Sequence, residues 1–235
     1  MPENGDERKK MVVSTGNAEI DTKMGGGIPI GSLTLIEGDS HSGKSVLAQQ
    51  MLWGSLHDGF QLSLFTTENT VKSLVTQMQS LNIDILDFLL LRKLRVYPME
   101  VARLGEKAVG ILLQAMKRER DRDMVFVDSL TPCIVHTPVN KVLGYFEECK
   151  RLCSDGMTIV TIIHSHAVSQ DLLIRITSLC DAHLRLRTEE VGERLVKMME
   201  VAKIRGASKS TGNIVSFEIE PGWGMKVIPI SRAKG

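Results

Sequence analysis

Aromatic residues are scarce in this chain of 235 residues: Phe, Trp and Tyr together make up 4%, with only two Trp and two Tyr. Surfaces that grip single-stranded nucleic acid stack bases on aromatic side chains interleaved with basic ones, and no stretch of that kind is present. An excess of one charge is also missing. Lys and Arg total 29 against 28 Asp and Glu, a net charge of +1. This excludes a nucleic-acid binder held by bulk charge, and equally an acidic disordered tail protein. No apolar run approaches the roughly 20 residues that cross a bilayer, so direct membrane insertion is not expected. Residues Met1 to Lys10 are polar and lack the apolar stretch of a signal peptide, which predicts a cytoplasmic protein. Cys133, Cys149, Cys153 and Cys180 form no Cys-x-x-Cys pair, and no His stands at zinc spacing beside them. In a reducing compartment they read as small buried hydrophobes.

What is present is ordinary for a soluble globular chain: 43% hydrophobic and 24% charged residues, enough length for a core without disulfides or metals. The reading is one domain over residues 14–235, preceded by a mobile tail over residues 1–13. Along it, strand and helix patterns alternate. Leu33 to Glu37, Gln61 to Thr66, Leu94 to Tyr97, Met124 to Val127 and Met157 to Ile163 are short apolar runs bounded by turn signals. Between them lie helical patterns: Lys44 to Leu56, a stripe from Val71 to Leu81, another from Val101 to Ala115, and one from Val139 to Cys153. Strands without alternation, separated by helices, predict an α/β three-layer sandwich with a mostly parallel sheet. Leu195 to Ile204, Ile214 to Ile219 and Met225 to Ile230 are joined by short turns and predict antiparallel strands added at the sheet edge.

The strongest chemical signal is Gly38-Asp39-Ser40-His41-Ser42-Gly43-Lys44-Ser45, which fits G-x-x-x-x-G-K-[ST] between a buried strand and a helix. Such a loop turns successive backbone N–H groups inward as an anion nest, and the helix start adds its positive dipole end. Lys44 is the cation expected on the β- and γ-phosphates of ATP, and the Ser45 hydroxyl the expected Mg²⁺ ligand. Val125-Phe126-Val127 carries Asp128 to the C-terminal end of its strand, where open α/β sheets bind ligands. Asp128 is the candidate second group for Mg²⁺, through a water; an Asp capping a turn is the alternative. Hydrolysis needs a group that orients or deprotonates water. Glu68, in Thr66-Thr67-Glu68-Asn69, is the candidate, against a plain helix-start acid favoured by the dipole. Asn69 can hold water but cannot take its proton, so slow hydrolysis is expected. His164 and His166, after the strand Met157 to Ile163, are candidate γ-phosphate sensors or structural hydrogen-bonding groups. Lys203 and Arg205 would share a strand face, which suits a phosphate chain or, more blandly, a solvated basic edge.

Thr15 to Asp21, then Gly25-Gly26-Gly27-Ile28-Pro29, then the phosphate loop, resemble the opening of RecA/KaiC-type P-loop NTPases. The Asp-Ser after the third core strand and Lys203-Ile204-Arg205-Gly206 resemble the KaiC branch. RecA-class enzymes carry a glutamate where Glu68 stands. In the KaiC branch the Lys and Arg reach the nucleotide of a neighbouring subunit, which implies a homo-oligomeric ring with Lys203 and Arg205 acting in trans. Ile36-Glu37-Gly38-Asp39, Phe65-Thr66-Thr67-Glu68-Asn69-Thr70 and Phe217 to Lys226 are similar to the accessory H proteins of the archaeal flagellum, or archaellum. That resemblance runs from about Val13 to Lys234. It implies a single KaiC-like ATP-binding domain at the cytoplasmic base of the archaellum, working with its motor ATPase and membrane platform protein.

Two functional readings follow. In the first, ATP binding more than turnover switches oligomeric state and affinity for the motor ATPase, which requires ATP to bind the assembled state more tightly. The second is a true KaiC-type ATPase or autokinase, with Thr66, Thr67 or Ser129 near the phosphates as acceptors. A recombinase-like DNA binder is disfavoured by the charge balance and the missing aromatics.

Overall fold

The structure, a computed structural model, describes residues 11–191, 194–206 and 213–228. In chain order the first half comprises β1 (Val12–Val13), α1 (Ala18–Lys23), β2 (Ile28–Pro29), β3 (Leu33–Gly38), α2 (Lys44–His57), β4 (Leu62–Thr66), α3 (Val71–Ser80), α4 (Leu86–Leu90) and β5 (Leu94–Pro98). Next come α5 (Val101–Leu104), α6 (Ala108–Arg118), β6 (Met124–Asp128), α7 (Thr131–Ile134), α8 (Val139–Ser154), β7 (Thr158–His164) and α9 (Gln170–Leu179). The chain closes with β8 (Ala182–Val191), β9 (Arg194–Ile204), β10 (Ile214–Glu220) and β11 (Gly224–Val227).

Nine strands form one sheet in the order β11-β10-β9-β8-β3-β7-β6-β4-β5. From β8 to β5 every neighbouring pair is parallel, and β8 to β11 add antiparallel pairs. β3, β4 and β6 are buried at every residue because both sheet faces are covered. Leu33 and Leu35 point into a core shared with α6, α8 and α9, while Ile36 points into the opposite core beneath α2 and α3. Helices on both faces of a mostly parallel sheet make the three-layer α/β architecture that the alternating pattern implies.

Several boundaries differ from the sequence reading. Part of the expected tail is a strand: Val12–Val13 pairs with Ile28–Pro29, and Val13 is fully buried. Residues 1–10 lie outside the described residues. The stripe from Val101 to Ala115 is not one helix. Gly105, at φ 52°, ends α5, and a 3-10 turn over Gly105–Lys107 precedes α6. β8 has no counterpart in the sequence reading, and its insertion beside β3 moves β9 inward. β9 lies between β8 and β10, so it is not the outer edge strand expected; β10 pairs with it only from Lys197 to Glu200, and Arg205 lies just past its end. The last expected strand ends at Val227, and residues 229–230 fall outside the described residues.

Candidate functional site

β3 delivers the phosphate loop. Two of its glycines are required by geometry: a Cβ on Gly38 would stand 2.0 Å from the Leu186 carbonyl oxygen of β8. Gly43 sits at φ 95°, and its Cβ would press Phe217 and Ile219 at 3.1 Å. α2 starts at Lys44 with no side-chain cap, so its first N–H groups are free to point at an anion. Lys44 is almost wholly buried; its Nζ donates to the Asp39 carbonyl at 2.5 Å and lies 3.4 Å from His164 Nδ1. The other ring nitrogen, Nε2, faces Glu68 Oε1 at 3.6 Å. Burial lowers the Lys44 pKa, against the opposing pull of Glu68, Asp128, Asp39 and Glu37.

β4 and β6 are neighbours in the sheet, and their ends complete the site. The Ser45 hydroxyl donates to Asp128 Oδ1 at 3.1 Å, pairing the two expected Mg²⁺ groups. Asp128 caps no helix; α7 begins only at Thr131. Burial, then the nearby Glu68 charge, pushes its carboxyl up to about 7 against the Ser45 hydrogen bond and the Lys44 charge. Ser45 and Asp128 both line the same cavity. Mg²⁺ is commonly held by few protein oxygens, with phosphates and waters filling its shell, so this donor pair fits it. When bound, the ion neutralises charge on phosphate oxygens.

The Thr66 hydroxyl accepts from the amides of Glu68 and Asn69, and Thr70 caps α3 in a reciprocal pair with Ser73. This turn leaves the Glu68 side chain 44% exposed at the cavity mouth. Asn69 Oδ1 accepts from the Ser73 hydroxyl, which commits it to the helix start. His166, on the turn after β7, does not line the cavity and pairs with Asp39 at 3.0 Å. Together Ser40, His41 and Gly43 to Ser45 of the loop, with Glu68, Asp128, His164, Gln77 and Ile219, line a cavity of about 420 Å³; Gly38, Asp39 and Ser42 are not among its lining residues.

Lys203 and Arg205 are not part of that cavity. Ile204 pairs with Ala182, which pairs with Thr34 at the start of β3, whereas Gly38 at its end pairs with Leu186. Four residues of strand, roughly 13 Å, separate the two levels. Lys203 Nζ donates to the carbonyls of Thr177 and Cys180 at 3.1 and 2.6 Å, closing the end of α9. Arg205 lies 3.5 Å from Asp181 Oδ1, with its side chain 56% exposed.

Sequence reasoning missed the support beneath the loop. Glu37, 1% exposed, accepts from Arg185 Nε at 2.6 Å, from the Ser165 hydroxyl, and lies 3.2 Å from His183 Nε2. Burial raises its carboxyl, but His183, Ser165 and Arg185 outweigh that and hold it at about 2. The available signal was a charged residue in an otherwise apolar core strand. Lys197 of β9 was also missed; its Nζ donates to the His41 carbonyl at 2.8 Å.

A glycine-rich loop between a buried strand and a helix, with Lys44, Ser45 and Asp128 converging at the strand ends of a mostly parallel sheet, defines a P-loop NTPase of the RecA/KaiC architecture. The comparisons with known proteins are more specific. The KaiC ATPase family model matches residues 13–232. An archaeal flagellar ATP-binding protein FlaH from Sulfolobus acidocaldarius is 30% identical over 230 residues, 95% of this chain and 100% of that one. Its namesake in Methanocaldococcus jannaschii is 28% identical over 218 residues, 89% of this chain and 91% of that one. In fold, the crystal structure of the M. jannaschii flagellar accessory protein FlaH superposes with a TM-score of 0.83 at 23% identity, over 93% of this chain and 99% of that one. A KaiC-like protein from Pyrococcus horikoshii superposes with a TM-score of 0.75 at 19% identity, with the same coverage. The chain belongs to the KaiC ATPase family and, within it, to the archaeal flagellar ATP-binding proteins named FlaH.

Proposed function

We propose that this protein binds ATP with Mg²⁺ and uses occupancy, more than turnover, to control its own assembly and its association with the archaellum motor ATPase and membrane platform protein at the cytoplasmic base of the archaellum. One observation carries the reading: Lys44, Ser45 and Asp128 converge on one cavity, while Glu68, which faces His164 Nε2, is the one other carboxylate among its lining residues and Asn69 is tied to a helix cap. That set binds nucleotide well and activates water poorly. On this reading Lys203 and Arg205 meet a neighbour's nucleotide in a homo-oligomeric ring, and their separation from their own loop supports it. Arg205 is the freer of the two, since Lys203 already serves two carbonyls.

The test is mass in solution with and without ATP–Mg²⁺, run alongside steady-state hydrolysis. The expected result is an ATP-dependent rise in mass with turnover below about 1 s⁻¹, the lower end of ordinary enzyme rates. Turnover of about 10 s⁻¹ or more would reject the switch in favour of the ATPase reading. For an autokinase, Thr67 is the acceptor to test, because Thr66 and Ser129 are each 1% exposed.

A further inference from the structure

A second cavity, an open groove of about 1190 Å³ between α6 and α8, shares no lining residue with the nucleotide cavity. Its floor is unusual. Gly110 of α6 and Gly144 of α8 both face it, and neither has any heavy atom within 4 Å of where a Cβ would stand. Neither has a positive φ. A glycine inside a helix costs about 1 kcal/mol against alanine. Here two adjoining helices carry that cost with no demand from backbone angle or from packing within the chain. Ile111, next to Gly110, is left 43% exposed.

The rim is basic. Among the described residues, Lys107, Arg118 and Lys141 take part in no ion pair, while Glu148 is occupied by Lys117 and Arg151. Glu106 is the one other carboxylate lining the groove. Three free cations against one free acid leave an excess of two positive charges around an apolar floor, on a chain whose total is +1.

We propose that this groove docks a helical segment of a partner protein that is apolar on one side and acidic along its flanks. Bare backbone at Gly110 and Gly144 lets a third helix approach at the 8–10 Å or so of close helix packing. The segment's apolar side chains would meet Ile111, and its carboxylates would pair with the rim. The 11 residues of α6 span about 16 Å, which sets the docked segment at about three turns with acids near both ends. The groove is larger than the roughly 300–1,000 Å³ of small-molecule sites, and its polar groups ring the rim where a small ligand would need them converging inside.

The test uses the full-length protein and two synthetic helix-forming peptides of about 14 residues. They share one leucine face; one carries Glu on its flanks and the other Lys. By fluorescence anisotropy, the acidic peptide should bind at least about tenfold more tightly than the basic one, through exposed ion pairs each worth a few-fold, and should weaken with salt. Gly144→Leu, which fills the floor, should abolish binding while ATP affinity stays unchanged. Reversing the rim with Lys107→Glu, Arg118→Glu and Lys141→Glu should make the basic peptide the better ligand. These surface reversals carry the test if Gly144→Leu fails to fold. Equal binding of the two peptides, binding of neither, or indifference to both sets of substitutions would overturn the proposal. So would self-association of the wild type that Gly144→Leu removes, which would put a second copy of this chain in the groove.

Discussion

Replacing Glu37 by Gln keeps the shape of the side chain but removes the negative charge that faces Arg185 and His183 beneath the phosphate loop. The wild-type carboxyl sits at about 2 against an ordinary 4.5. At about 1.4 kcal/mol per pH unit, that gap is worth about 3 kcal/mol of folding stability at neutral pH. The figure agrees with the roughly 3–5 kcal/mol typical of breaking a buried ion pair from one side. The folded carboxyl is the stronger acid, so its contribution is complete above about pH 4.5. It is lost as the pH falls toward about 2, and about half remains near pH 3. Urea unfolding of both proteins, followed by circular dichroism, reads this directly. Glu37→Gln should lower stability by about 3 kcal/mol at pH 7 with an unchanged denaturant slope, and the difference should shrink to about half near pH 3. A loss under about 1 kcal/mol at pH 7, or an equal loss at both pH values, would refute the assignment of Glu37 as a buried, ionised anchor.

Lys44→Ala removes a charge-assisted contact worth about 1.5–3 kcal/mol, so ATP affinity should fall roughly 10- to 150-fold by calorimetry. An unchanged dissociation constant would remove Lys44 from the phosphates. Arg205→Ala should keep ATP affinity yet lose the ATP-dependent rise in mass, measured by light scattering; normal assembly of that variant would argue against contact in trans. Lys203→Ala should lower thermal stability by about 1 kcal/mol, because two partly buried carbonyls at the end of α9 lose their donor. The four thiols should resist an aromatic disulfide reagent at pH 8 in the native protein and react at once in urea. All four are buried, and burial pushes Cys153 and Cys180 up to about 12 and Cys133 up to about 11.

β3, β4, β6 and β7 were legible because they are buried on both faces and read as largely apolar runs. β8 was not, for the opposite physical reason. Leu184 and Leu186 face the core while Arg185 and Arg187 alternate with them and pair with Glu37, Glu189 and Glu200. A period-two signal was present, but its charged half looked like loop. The same blindness hid the Glu37 network, whose partners come from β8 and the turn between β7 and α9. The strand–loop–helix setting of Gly38 to Ser45 and the place of Asp128 at a strand end were legible because their spacing and neighbouring elements are local. The distance of Lys203 and Arg205 from the loop was not, since it depends on which strands lie between β9 and β3.

The antiparallel wing has a consequence for how the chain can be divided. Phe217 and Ile219 back Gly43, Leu186 lies against Gly38, and Lys197 holds the carbonyl of His41. The parallel half carries every residue of the phosphate loop, yet three strands that follow it in the chain shape the loop from outside. Cutting the protein after α9 would therefore not free a smaller nucleotide-binding module. It would strip the loop of its backing, and the two fragments would recover ATP binding only by reassociating.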